Sequence, residues 1–295
     1  MITKHSKKSS ISIVTVTYNS STVIEKYLQS LAKDKEIIRE LILVENNSPD
    51  KEITKQKIEK YQKKGQLNIK YISMKENLGF AKSCNYGSKS ATADFILFLN
   101  PDTEIKNNSL KTLYSDAIKL NADLIGGKCV KKNGERHNTI VHKPTLNIGL
   151  FEFSNLGKLF DYSGGHRCFY YLDNNKIYNA KKDVRVDALG GAFLMANKIA
   201  FKKLHGFDER FFMYLEDVDL GVRANENNMN VIYCPHSVIF HVGGASSKNK
   251  YKIMHQAWYD SRKAYYKKHF GTIVNLIIQP IFILDEYLLK MLRPQ

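Results

Sequence analysis

Two hydrophobic periods alternate along the first 130 residues. Short runs, several of them apolar on both faces, "SISIVTVTY" (10–18), "ELILVENNS" (40–48), "NIKYISM" (68–74) and "DFILFLN" (94–100), predict strands. Between them, Val23, Ile24, Tyr27, Leu28 and Leu31 recur at helical spacing and predict a helix over 22–33. Thr22 and Glu25 have the spacing of a capping box at its start. A charged helix over 53–64, a small-residue helix over 79–91, a helix over 108–120 and a strand over 123–130 complete the series. Strands alternating with helices predict an α/β fold, a mostly parallel sheet flanked by helices. Residues 131–184 carry no readable period, and regular patterning returns over 188–244.

Open parallel sheets bind ligands outside the carboxyl ends of their strands. Tyr18-Asn19, Glu45-Asn46-Asn47 and Asn100-Pro101-Asp102 each stand at such an end, so three polar clusters are expected on one edge. Asp102 reads either as a turn residue after Pro101 or as a ligand for a cation bridging two phosphates. "YLEDVDLGVR" (214–223) holds Glu216, Asp217 and Asp219. These read either as solvated acids at a helix N-terminus or as a pocket containing a general base. The aromatic run from Phe211 to Tyr214 and the side-chain-poor "LGGAFL" before it favour the pocket. His241 ends the apolar stretch "VIFH", as a structural histidine or as part of a metal shell, where an imidazole shifts preference from magnesium towards manganese.

Composition narrows the partners. The 295 residues suffice for a sizeable core, and a formal charge of +16 points to an anionic partner: nucleic acid, an acidic membrane or a phosphate-bearing substrate. Cys84, Cys129, Cys168 and Cys234 lie far apart without a CxxC pair, which excludes a zinc-finger pattern and suits free thiols in a reducing compartment. The first residues lack the apolar core of a signal peptide.

Six segments in order carry a resemblance: "IVTVTYNS", "LILVENNSPD", "NLGFAKSCNYG", "FLNPDTEI", "LGGAFLMANKIAFKKLHGFDERFFMYLEDVDLGVR" and "PHSVIFHVGGASS". Together, from about Ile11 to Gly271, the chain resembles the inverting GT-A glycosyltransferases of family 2, within them the bacterial rhamnosyltransferase-like branch. The resemblance implies a Rossmann-like nucleotide-diphospho-sugar transferase fold. It also implies transfer of a sugar, L-rhamnose from dTDP-rhamnose, to a hydroxyl of a lipid-linked or cell-surface polysaccharide. Galactofuranose, glucose or N-acetylhexosamine donors and a non-catalytic scaffold are the alternatives.

By position, the resemblance implies that Thr17 and Tyr18 line the nucleoside pocket and that Glu45 stands where an Asp hydrogen-bonds the base. Asn77 and Gly79 belong to a loop closing over the nucleotide. Asn100 and Asp102 occupy the DxD position, with Asp102 and His241 holding a divalent cation, magnesium or manganese. Gly190, Gly191 and Glu216 face the acceptor, and Asp217 is the general base.

Residues 1–10 read as a basic tail, 11–270 as the transferase domain and 271–295 as an amphipathic or apolar C-terminal extension. In the basic stretch 247–271, Trp258, Tyr265 and Tyr266 form a core-facing stripe. The apolar run over 272–284 is interrupted by Asn275, Gln279 and Pro280 and reads as too short to span a bilayer. The apolar stretch 273–292 packs on the domain, forms a homodimer contact or lies on an anionic membrane. The expected placement is cytoplasmic and peripheral at the inner face of the membrane, with a polyprenyl-pyrophosphate-linked glycan as acceptor. Nucleic acid is not expected, since no RNA- or DNA-binding signature accompanies the dispersed charge.

Overall fold

The structure, a computed structural model, describes residues 11–106, 108–137, 139–159, 175–243 and 251–292. The basic tail, Cys168 and residues 247–250 of the basic stretch lie outside the described residues. Four strands alternate with helices at the start: β1 (Ile11–Thr17), α1 (Ile24–Leu31), β2 (Ile38–Glu45), α2 (Lys51–Gln62), β3 (Ile69–Ser73), α3 (Gly79–Ser88) and β4 (Phe95–Leu99). There follow β5 (Thr103–Ile105), α4 (Ser109–Lys119), β6 (Leu124–Val130), β7 (Arg136–His137) and β8 (Ile140–Val141). Next come α5 (Leu146–Phe151), α6 (Leu156–Leu159), α7 (Asn175–Tyr178), β9 (Val184–Arg185), β10 (Ala188–Leu189), β11 (Phe193–Asn197) and α8 (Lys198–Lys203). The last elements are α9 (Glu216–Glu226), β12 (Val231–His241), α10 (Tyr251–His269) and α11 (Thr272–Leu292).

The main sheet runs β3-β2-β1-β4-β11-β6-β12-β5. β1 pairs parallel with β2 and β4, β2 with β3, and β6 with β12, while β11 is antiparallel to both β4 and β6. Because side chains alternate along a strand, a both-face apolar run feeds two cores. Ile13, Leu41, Leu43 and Leu97 pack with Leu28, Ile58 and Leu113 from α1, α2 and α4. Val14, Ile42, Val44, Ile96 and Phe98 pack on the other face with Ala81, Cys84, Phe201 and Leu220 from α3, α8 and α9. Helices therefore cover both faces, and the carboxyl ends of β1, β2 and β4 share one edge.

The predicted capping box does not form. α1 starts at Ile24 with no side-chain cap, and the Ser20 carbonyl accepts hydrogen bonds from Val23 and Ile24, leaving Thr22 exposed. Over 131–184 the elements among the described residues are two to six residues long, shorter than either period needs.

A third core joins α9, α10 and α11, with Tyr265, Tyr266, Ile278 and Phe282 fully buried and Trp258 packed against them. The apolar run over 272–284 is not cut short. α11 continues through Pro280 to Leu292, and Thr272–Met291 is long and apolar enough to cross a membrane by length and composition. The residues that read as interruptions turn inward: Asn275 donates to the Tyr266 and Phe270 carbonyls, and Gln279 to the Lys263 carbonyl. One face of α11 is docked, and Ile273, Leu276, Ile277, Ile283, Leu284, Tyr287, Leu288 and Met291 on the other stay exposed.

Candidate active site

The strand ends build the site from below. Thr17, last residue of β1, and Glu45, last of β2, are paired in register and fully buried. The Thr17 hydroxyl donates to Glu45 Oε2 at 2.7 Å, and the Ser48 N–H donates to Oε1 at 2.7 Å. Glu45 thus braces the loop after β2, where the resemblance implied a contact with a base. Its longer side chain reaches back to the neighbouring strand end, so Thr17 and Glu45 support the site from beneath.

Asn46, next in the chain and not singled out from sequence, holds the adjoining loop. Its Oδ1 accepts from the Leu78 N–H at 2.9 Å and from Ser83 Oγ at 3.0 Å, and its Nδ2 donates to Asn77 Oδ1 at 2.7 Å. Gly79 follows at φ +77° beneath Phe212, whose carbonyl occupies the space a Cβ would need and accepts the Phe80 N–H at 2.7 Å. Only glycine suits that backbone.

Asn100-Pro101-Asp102 turns the chain from β4 into β5, with the Thr103 N–H and hydroxyl both donating to the Asn100 carbonyl. β5 then lies antiparallel to β12, placing Thr103 opposite His241. β12 reaches that point only by a register shift between Cys234 and Val238, around Pro235, which has no N–H to give a ladder. The result brings His241 Nε2 to 3.1 Å from Asp102 Oδ1, both side chains buried. Tyr18, Asn46, Asn77, Gly79, Asn100, Asp102, His137 and His241 line one cavity of about 300 Å³, closed by Phe212, Met213 and Tyr214 and by Ile253 and Met254 of α10.

The second group lies beside this cavity. Asp217, in the first turn of α9, accepts the Gly191 N–H on Oδ2 at 2.6 Å and the Val218 N–H on Oδ1 at 2.8 Å. Phe80, a wall of the cavity, packs against Gly191 on the side facing Asp217. The Asn100 N–H donates to the Ala192 carbonyl at 3.1 Å, coupling the Asp102 turn to the turn before β11 that carries Gly191. Gly191 and Asp217 therefore adjoin the cavity across Phe80, with Gly190 and Glu216 next to them in the chain, and none of the four lines it. Tyr214 and Leu215, directly before the two acids, hold φ of +74° and +64°, strained for residues with side chains.

Burial raises the pKa of Asp217, against the N–H groups of Gly191 and Val218. Glu216 is pushed up further, first by burial and then by the charge of Asp217, and its Oε2 has no hydrogen-bond partner among the described residues. Of the two, Asp217 has N–H donors that favour its charged form, while burial and the neighbouring charge favour the neutral form of Glu216. A folded-state carboxyl pKa above its unfolded value contributes stability below the unfolded pKa and loses it as pH rises through the folded one. Replacing Glu216 by Gln removes that titration. The thermal stability of Glu216→Gln relative to wild type is therefore expected to improve steadily from pH 4 to pH 8; a difference independent of pH would show that Glu216 is not held neutral.

The donor set at the cavity, one carboxylate oxygen and one imidazole nitrogen converging within 3.1 Å, fits a divalent cation completed by ligand oxygens. A second cluster, Asp116, Asp183 and Cys234, also has metal-like spacing, but none of the three lines the cavity. Burial keeps the Cys234 thiol protonated, and it donates to Asp116 Oδ2 at 3.2 Å.

The sequence profile of glycosyl transferase family 2 matches residues 12–203. The chain belongs to that family. It is a nucleotide-sugar glycosyltransferase with the α/β architecture of the GT-A fold. An N-acetylglucosaminyl-diphospho-decaprenol L-rhamnosyltransferase of Mycobacterium tuberculosis is 25% identical over 249 residues, covering 78% of this chain and 75% of the relative. The crystal structure of residues 1–349 of Staphylococcus aureus TarS, named as a poly(ribitol-phosphate) beta-N-acetylglucosaminyltransferase, superposes with a TM-score of 0.56 at 20% identity, over 94% of this chain and 72% of that fragment. The mannosyltransferase PcManGT from Pyrobaculum calidifontis, in complex with GDP-Man and Mn2+, superposes with a TM-score of 0.60 at 14% identity, over 96% of this chain and 70% of that one. These relatives span several branches of the family, so the rhamnosyltransferase branch is not singled out.

Proposed function

We propose that the protein transfers a hexosyl unit, with inversion, from a nucleoside-diphosphate donor to a hydroxyl of a glycan acceptor. The observation that carries the reading is the adjacency of two chemistries: the Asp102–His241 pair on the cavity, and Asp217 held by the Gly191 N–H just across Phe80. Asp217 takes the proton of the acceptor hydroxyl, and that oxygen attacks the anomeric carbon. The bond to the diphosphate oxygen breaks, and its electron pair leaves with the nucleoside diphosphate. Tyr18 and Asn77 border the nucleoside, Gly190 and Gly191 form the acceptor-facing wall, and neutral Glu216 orients the acceptor. Asp102 and His241 would hold a divalent cation, which would supply Lewis-acid stabilisation of the departing charge.

The donor is proposed only as far as its class, since the relatives name rhamnosyl, N-acetylglucosaminyl and mannosyl chemistry. The rhamnose implied by the sequence resemblance is one member of the panel to be tested. A polyprenyl-diphosphate-linked glycan on an anionic membrane is the proposed acceptor setting. Asp285 and Glu286 of α11 turn inward to Arg262 and Lys263, leaving its apolar outer face without acids, on a protein of formal charge +16.

The test is a panel of dTDP-rhamnose, UDP-N-acetylglucosamine, UDP-glucose, UDP-galactofuranose and GDP-mannose, with a lipid-linked acceptor in neutral or anionic vesicles, with and without chelator. One donor is expected to be consumed preferentially, faster on anionic vesicles. Equal rates on both vesicles would remove the membrane reading, and no turnover of any donor would favour a non-catalytic scaffold.

A further inference from the structure

Asp219, the third acid of α9, takes no part in the proposed chemistry and does not line the cavity, yet it is wholly buried. Its Oδ1 pairs with Lys268 Nζ and with His269 Nε2, the latter at 2.7 Å, and these are the last two residues of α10. Its Oδ2 accepts from Arg223 Nε at 2.7 Å, and Arg223 donates in turn to the carbonyls of Leu204 and Gly206. An ionised carboxylate only accepts, so His269 Nε2 carries the proton. Burial opposes the charge on Asp219, but the His269 hydrogen bond, Arg223 and Lys268 outweigh it and hold the carboxyl below its usual pKa.

Buried ion clusters are often no more stabilising than apolar packing, and their best-attested use is to fix one arrangement. Here the arrangement is the turn into α9. Tyr214 and Leu215 enter it in the left-handed region, a strain that persists only where surrounding structure over-determines it. α10 supplies that support. Ser261 Oγ donates to the Met213 carbonyl at 2.8 Å, the Trp258 ring meets Tyr214 edge-on, and Lys268 and His269 grip Asp219. The Asp219 N–H closes the first turn onto the Leu215 carbonyl at 2.9 Å, with Asp217 between them in the chain.

We infer that Asp219 is a positioning residue: clamped by Lys268 and His269, it holds the strained turn at the start of α9 and keeps the Asp217 carboxylate aimed at the acceptor hydroxyl. It acts through Asp217, and so rests on the base role proposed above. The alternative is a cluster that only adds stability. That accounts for the ion pairs but not for their placement. Lys268 and His269 belong to the helix that also supports Met213 and Tyr214, so the strained pair is held at both ends.

Steady-state transfer is measured with the donor preferred in the panel above and a lipid-linked acceptor. Asp219→Asn, His269→Ala and His269→Gln are compared in the wild-type and Asp217→Asn backgrounds. Asp219→Asn is expected to lower kcat about ten- to a hundredfold, the scale of a small misplacement, with donor KM unchanged within about twofold. In the Asp217→Asn background the same change is expected to cost less than about threefold, because a residue that acts through the base has nothing left to aim. His269→Gln, which keeps an N–H donor for Asp219, is expected to recover most of what His269→Ala loses. Hydrogen exchange of the Gly191 and Val218 N–H groups, which donate to Asp217, needs no donor. It is expected to quicken about tenfold in Asp219→Asn, while exchange at Phe98 in the sheet stays as in wild type. Equal losses in the two backgrounds, or unchanged exchange at both amides, would overturn the positioning role. Full turnover by Asp217→Asn, or no use of any donor, would instead remove the base role, and exchange alone then decides whether Asp219 holds the turn. Should thermal unfolding show that Asp219→Asn does not fold, the His269 variants decide, and a Gln variant no better than Ala overturns the role.

Discussion

Asp217→Asn is expected to reduce sugar transfer by roughly 10²–10⁴-fold, the contribution general base catalysis makes. Asn keeps the size of the side chain, and its amide oxygen can still accept the Gly191 or Val218 N–H, so α9 and the neighbouring cavity should persist. What it loses is the capacity to take a proton from the acceptor hydroxyl. Because burial raises the Asp217 pKa, the acid limb of the wild-type rate profile should also lie above the ordinary carboxylate range, with activity falling as pH drops through it. A variant that turns over at the wild-type rate would remove Asp217 as the base, whatever its position.

The largest stability loss is expected at Arg262, far from the chemistry. Arg262 is fully buried between α10 and α11 and pairs with Asp285 at 2.6 Å. It also donates to the carbonyls of Phe153 and, at 3.0 Å, Phe282. Asp285 in turn accepts from the Asn155 N–H at 3.0 Å and its side-chain amide at 2.6 Å. Removing one partner strands a buried charge, so Arg262→Ala should cost about 3–5 kcal/mol. For a chain of this size that corresponds to a melting temperature lower by roughly 5–15 °C. The double variant Arg262→Met, Asp285→Leu should recover part of the loss, because no lone charge remains, but not all, because the Phe153 carbonyl still loses its donor. A single variant that melts within about 1 °C of wild type, a shift too small for a stranded charge, would show that the pair is solvated.

Much of the site could be read from the strand ends. Residues apolar on both faces must lie between two helical layers, and the polar residues that end those strands must then gather on one edge; Tyr18, Asn100 and Asp102 do so. His241 was readable as a strand end, although its meeting with Asp102 depends on the register shift at Pro235, which no period reveals. Glu45 was harder. The resemblance implies a contact with a base, but whether it faces the cavity or Thr17 depends on one methylene and the register of β1 with β2. Asn46 belonged to a quoted polar cluster, yet its four hydrogen bonds go to a loop thirty residues later, invisible to local pattern. His137 sits on a two-residue strand, below the length at which periodicity exists. In α11, Asn275 and Gln279 read as breaks because their partners, carbonyls of α10 and the segment joining the two helices, are supplied by the packing of the helices, and Pro280 is carried within α11.

In the proposed mechanism two acids divide the labour: Asp102 serves the leaving group and Asp217 the acceptor. Equilibrium binding of the preferred donor, measured with Mn2+ for Asp217→Asn and Asp102→Asn side by side, tests that division directly. The predicted result is near wild-type donor affinity for Asp217→Asn, despite its lost transfer, and clearly weakened affinity for Asp102→Asn. The reverse order, with donor binding lost at position 217 and intact at position 102, would contradict it.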